Sequence, residues 1–141
     1  MKKSERLPLI YSCSGCSNVA QLANAVALEL QARNVGQMSC IAGVGGGVKG
    51  LVQMAQSGRT IVVLDGCPLH CSAACLNQVG VRPDIHLTLT EHGNRKRTYT
   101  QASPEQVDQL CTQVLGELDN LRHPRKEPAA PVFTSPIAGE G

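Results

Sequence analysis

A small α/β domain on a four-stranded, mainly parallel sheet is what this 141-residue chain predicts, and three observations carry that expectation. Apolar runs alternate with helical stripes along the sequence, the pattern of strands joined by crossover helices. The run Thr60-Ile61-Val62-Val63-Leu64 is apolar without alternation, as befits a central parallel strand covered on both faces. Thiols follow the apolar runs directly, at the carboxyl ends where such sheets gather their sites. Right-handed crossovers then give the strand order 2-1-3-4 in a three-layer Rossmann/flavodoxin-like arrangement with helices on both faces.

Leu7 to Ser12 supplies the first strand. Val19, Leu22, Ala23, Val26, Ala27 and Leu30 then repeat at helical spacing, with Ser17 as N-cap and Gly36 just past the end. A short second strand is expected from Met38 to Ala42, entering a glycine-rich loop. A brief helix follows with Val48, Leu51, Val52 and Ala55 on its inner side and Gly58 as the stop. After the third strand, Pro68 suits the first position of a helix that runs toward Gly80, because its missing N–H would go unpaired there. Asp84 to Thr90 alternates, with Ile85, Leu87 and Leu89 on one side and His86, Thr88 and Thr90 on the other. This is the pattern of an edge strand with one wetter face. Ser103-Pro104-Glu105-Gln106 opens the last helix with a capping box, and Val107, Leu110, Cys111, Val114, Leu115 and Leu118 form its stripe. The domain is taken as 1–122, and the proline-rich stretch 123–141 as a disordered tail.

Composition narrows the function. Tyr11, Tyr99 and Phe133 are the only aromatic residues, so the core is aliphatic and a bound metal would add stability to it. A net charge of +2 and so few rings speak against nucleic acid. Arg95-Lys96-Arg97 is read as a solvated turn. Leu7–Tyr11 is too short for a signal-peptide core, and nothing is long enough to span a membrane, so a cytoplasmic protein is expected. Seven cysteines in a reducing compartment argue for metal or thiol chemistry, and the odd number fits a disulfide framework poorly.

Three of these thiols, Cys67, Cys71 and Cys75, recur every four residues in Asp65-Gly66-Cys67-Pro68-Leu69-His70-Cys71-Ser72-Ala73-Ala74-Cys75. Cys13 and Cys16 follow strand one, and Cys40 lies at the end of strand two. The segments Cys13-Ser14-Gly15-Cys16-Ser17-Asn18-Val19-Ala20, Cys40-Ile41-Ala42-Gly43 and Asp65-Gly66-Cys67-Pro68-Leu69-His70-Cys71 resemble the DGC-domain family, named for its Asp-Gly-Cys motif and assigned to zinc binding from its cysteine pattern. The resemblance covers roughly residues 7–100. It implies a four-cysteine metal set at Cys13, Cys40, Cys67 and Cys71, and it implies no activity.

Chemistry is consistent with that set. Structural zinc takes four tetrahedral ligands, commonly all thiolate. Cys67 and Cys71, spaced i and i+4, can face one point above a helix start, whose partial positive charge steadies thiolates. Gly15 and Gly66 let backbone crowd toward a ligand, and Asp65 can accept N–H bonds or orient a ligand.

The other candidates each have two readings. Cys16 completes a Cys-x-x-Cys pair and stands as a further ligand or functional thiol; Cys75 is a further ligand or a packed small residue. Cys111 belongs to an apolar stripe, while His70 and His92 read as surface. Gly45-Gly46-Gly47-Val48-Lys49-Gly50 matches a dinucleotide fingerprint with Asp65 downstream, but the following helix is short and the cysteines would crowd a ribose. The expectation is therefore a non-catalytic metal-binding protein with zinc as cofactor. An iron–sulfur cluster or thiol-redox and sulfur-transfer protein is the alternative, and a thiol enzyme using Cys16 is the least supported.

Overall fold

The computed structural model describes residues 6–97 and 102–124. Four strands, β1 (Leu9–Ser12), β2 (Gln37–Met38), β3 (Ile61–Asp65) and β4 (Ile85–Thr88), form one sheet in the order β2-β1-β3-β4. Every pairing is parallel. Helices α1 (Asn18–Ala32), α2 (Ile41–Gly45), α3 (Lys49–Ala55), α4 (Cys71–Gln78) and α5 (Pro104–Arg122) provide the connections and the outer layers. The three-layer α/β arrangement expected from the sequence is the one observed.

Side-chain alternation divides the core between the two faces of the sheet. Ile10, Val62, Leu64, Ile85 and Leu87 pack with Leu22, Val26 and Leu30 of α1 and Leu110, Val114 and Leu118 of α5. Leu9, Tyr11, Ile61 and Val63 face the other way, toward Val44 of α2, Ala55 of α3 and Leu76 of α4. Both helical stripes read from the sequence thus reach the same face. Ser17 caps α1 through its hydroxyl, and the Ser103/Gln106 capping box opens α5 with Pro104 in the first turn.

Three local expectations are corrected. The second strand stops at Met38, and residues 41–45 form α2 with Cys40 as its N-cap, because the Cys40 sulfur accepts the Gly43 N–H at 3.4 Å and offers the backbone a helical start. The helix expected from Pro68 begins at Cys71. His70 precedes it at φ 52°, in the left-handed region, and its N–H closes a turn on the Cys67 carbonyl at 3.2 Å. β4 ends at Thr88 and passes into a 3-10 turn, Leu89–His92, that keeps Leu89 in the core. The glycines at 45–47 join two short helices, so the strand-to-helix context of a dinucleotide fingerprint is absent there. Of the tail expected over 123–141, everything from residue 125 lies outside the described residues.

Burial raises the Cys111 thiol above its ordinary 9.0 and the Tyr11 phenol above its ordinary 10.0. The folded chain therefore keeps protons that the unfolded chain releases. That contribution to stability is complete below about pH 9 and is lost as pH rises through the folded values. Thermal melts should show the unfolding midpoint falling as pH rises above about 9, with a shallower fall in Cys111→Ala.

Candidate metal centre

The carboxyl edge of the sheet carries the thiols. Cys13 follows β1 directly; its N–H donates to the Leu64 carbonyl at 3.0 Å and its sulfur accepts the Gly66 N–H at 3.1 Å. Cys40 lies two residues beyond β2, Cys67 two beyond β3, and Cys71 opens α4. Cys13 is buried, Cys67 half-buried, and Cys40 and Cys71 are exposed; all four are free thiols.

Burial pushes the Cys13 thiol up, the Gly66 N–H opposes this, and the negative charge of Asp65, Cys71 and Cys67 adds to it. These three side chains are thus the electrical neighbours of Cys13. Cys40 stands on the other side of β1, where it acts on Tyr11 instead. Among the described residues, no three His, Cys, Asp or Glu side chains converge closely enough to hold a metal ion as the chain stands. What fits a soft metal is the chemistry of the donors: four reduced sulfurs on three loops of one edge, two of them already accepting backbone N–H bonds.

Cys16 is exposed on the loop before α1. Cys75 packs between α4 and α2, where a β-carbon added to Gly45 would come within 3.1 Å of its sulfur. Cys111 is fully buried in the α1/α5 layer, its sulfur 4.0 Å from the Val26 carbonyl. His92 is exposed at the end of the 3-10 turn.

Asp65 is only 1% exposed, and its carboxylate is fully engaged. Oδ1 accepts the Ser72 N–H at 2.9 Å, Oδ2 accepts the Ala73 N–H at 3.3 Å, and His86 Nε2 lies 2.8 Å from Oδ2. Since His70 lacks a capping side chain, Asp65 caps α4 from the neighbouring strand. His70 is not the surface residue expected. Its Nε2 lies 2.8 Å from Thr88 Oγ1, and its ring meets His86 edge to face at 4.6 Å between centroids. His86 escaped sequence reasoning; the outward phase of strand β4 beside Asp65 was its only signal.

Lys96 also escaped. Its Nζ lies 3.6 Å from the Cys67 sulfur, so the basic triplet reaches the thiol edge.

The model of the DGC domain matches residues 9–114, which contain the whole sheet and all seven cysteines. The chain belongs to the DGC-domain family. The chain is 54% identical over 118 residues to the anaerobic and virulence modulator AnvM of Pseudomonas aeruginosa strain PAO1, covering 84% of this chain and 87% of that protein. No solved structure matches. Among the described residues of the DGC domain, no helix is long and apolar enough to cross a membrane.

Two substitutions test how the edge is built. Asp65→Ala leaves two helix N–H groups and His86 without their acceptor, and urea titration should show a loss of about 2–3 kcal/mol, against about 1 for His86→Ala; the reverse order would contradict the capping role. A β-carbon at Gly66 would lie 2.7 Å from the Val19 carbonyl carbon and 2.8 Å from its oxygen. Gly66→Ala should therefore cost about 1–3 kcal/mol in the same assay, because the clash is with α1 backbone.

Proposed function

We propose that the protein binds one metal ion, zinc, through Cys13, Cys40, Cys67 and Cys71, as a non-catalytic metal-holding or metal-handling protein. One observation carries this reading: three consecutive strands of a parallel sheet each deliver thiols to the same edge. Zinc is the simplest occupant of four thiolates, and its binding energy would supplement an aliphatic core. Asp65 supports the site from below by fixing the start of α4, and so the backbone of Cys71. Cys16 has no hydrogen-bonded base among the described residues, which favours binding over thiol catalysis.

A second reading, an iron–sulfur or thiol-redox centre, is favoured by Cys16 and Cys75, two thiols beyond what one zinc needs. The name of AnvM, a modulator tied to anaerobic conditions, is compatible with either occupant, since both respond to oxidants.

Anaerobic purification with elemental analysis and an absorption spectrum decides between them. The expected product is colourless with one zinc per chain, and Cys67→Ser and Cys71→Ser each lose zinc while Cys111→Ala retains it. Iron with acid-labile sulfide transfers the site to the second reading. A chain that takes up neither metal overturns both.

A further inference from the structure

The basic triplet is fastened to the fold and left without counter-charge. Asn18, the first residue of α1, donates from Nδ2 to the Arg95 carbonyl at 2.8 Å and from its backbone N–H to the Arg97 carbonyl at 2.9 Å. Its Oδ1 accepts the Arg97 N–H in return. At the base of the segment, buried Asn94 donates to the Leu89 and His92 carbonyls, each at 3.1 Å, and its Oδ1 accepts Gln106 Nε2 at 3.2 Å. Residues 94–97 thus form a strap pinned at both ends. Arg95, Lys96 and Arg97 are all exposed, and among the described residues ion pairs engage Arg33 and His86 but none of these three.

These bonds make the strap an extended chain with one edge taken and the other open. The backbone groups that meet Asn18 belong to alternate residues, 95 and 97, as they do in a strand. The N–H and carbonyl of Lys96 face the other way and have no partner among the described residues. Alternation also sets Arg95 and Arg97 on the face opposite the Lys96 side chain, whose ammonium lies 3.6 Å from the Cys67 sulfur. The two guanidinium groups therefore repeat at about 7 Å, the spacing of alternate side chains in any extended peptide. On the Lys96 face stands an apolar knob. Leu69, on the turn that leaves Cys67, is 72% exposed, the most of any large apolar side chain among the described residues. That turn is fixed as well: the His70 N–H closes on the Cys67 carbonyl at 3.2 Å, and the His70 ring meets Thr88 Oγ1 at 2.8 Å. A surface ordered in advance loses little freedom when a partner arrives.

We propose that the strap and Leu69 form a docking face for an extended acidic segment of another protein. Carboxylates at alternate positions pair with Arg95 and Arg97, the main chain of the segment meets the N–H and carbonyl of Lys96, and an apolar residue between the acids covers Leu69. An occupied metal site is not required for this docking, which goes beyond the function proposed above. A polynucleotide offers negative charge but no extended main chain for Lys96. Among the described residues the only Phe, Tyr or Trp is Tyr11, which is fully buried and cannot stack a base.

The test is fluorescence anisotropy of the full-length protein with a short labelled peptide that has Glu at alternate positions, Leu between them and Ser at its ends. Its counterpart with Gln for every Glu should bind about tenfold more weakly, and the difference should shrink as salt is raised. Arg95→Ala and Arg97→Ala should each weaken binding of the Glu peptide about threefold and together about tenfold, the scale of exposed ion pairs. Leu69→Ser should cost about fivefold through lost apolar contact. Asn18→Ala should weaken binding with both arginines still present, because it frees the strap. Arg82→Ala, which removes an exposed cation just before β4 at the opposite edge of the sheet, should change nothing. The side chains of Leu69, Arg82, Arg95 and Arg97 are exposed, so melting temperatures of these variants should match the native protein. Equal affinity for the Glu and Gln peptides, or a loss in Arg82→Ala as large as in Arg95→Ala, overturns the docking face. A single-stranded oligonucleotide of equal charge that binds more tightly than the peptide, and is released by the same two arginine changes, overturns the choice of a polypeptide partner.

Discussion

A single buried carboxylate organises the thiol edge. Asp65 ends the central strand β3, and from there it accepts two N–H groups from the first turn of α4 and the imidazole of His86 from β4. Without it, the start of α4 would face the end of β3 with its N–H groups unpaired in a buried place, a costly arrangement. The next two residues have separate duties. Gly66 lets the backbone of α1 come close and gives its N–H to Cys13, while Cys67 presents a thiol on the turn that leads into α4. Asp-Gly-Cys is therefore three different physical requirements in succession: an acceptor for a helix, a place for a neighbouring helix to cross, and a donor sulfur.

The same carboxylate adds to an electrostatic cost that burial sets: desolvation raises the Cys13 thiol first, the Gly66 N–H opposes it, and Asp65, Cys71 and Cys67 add to it. Gathering thiolates here is unfavourable unless positive charge arrives with them. On the proposed reading a divalent metal would supply most of that charge, and the N–H groups of Gly66 and Gly43 would add smaller, fixed contributions.

Much of the fold was legible because it follows from periodicity. The unbroken apolar run at Thr60 to Leu64 identified the central strand, and the stripes from Val19 and from Val107 identified the two helices that share a face. The cysteine positions were legible because the carboxyl-end rule depends only on strand order. Two of the misses are local. Cys40 caps α2 by an ordinary i, i+3 contact, its sulfur accepting the Gly43 N–H, but cysteine lies outside the residues usually read as N-caps. The α4 cap comes from Asp65, seven residues before Ser72, across the turn that holds His70. His86 and Lys96 reach the site through the pairing of β4 with β3 and the hydrogen bond of Asn18 to the Arg95 carbonyl, 77 residues away, contacts that leave no local pattern in the chain.

X-ray absorption at the zinc edge of the loaded protein tests the central claim most directly. The account predicts a first shell of four sulfur atoms at about 2.3 Å. A shell dominated by nitrogen or oxygen at about 2.0 Å would contradict it, because the thiols of the sheet edge would then not be the ligands.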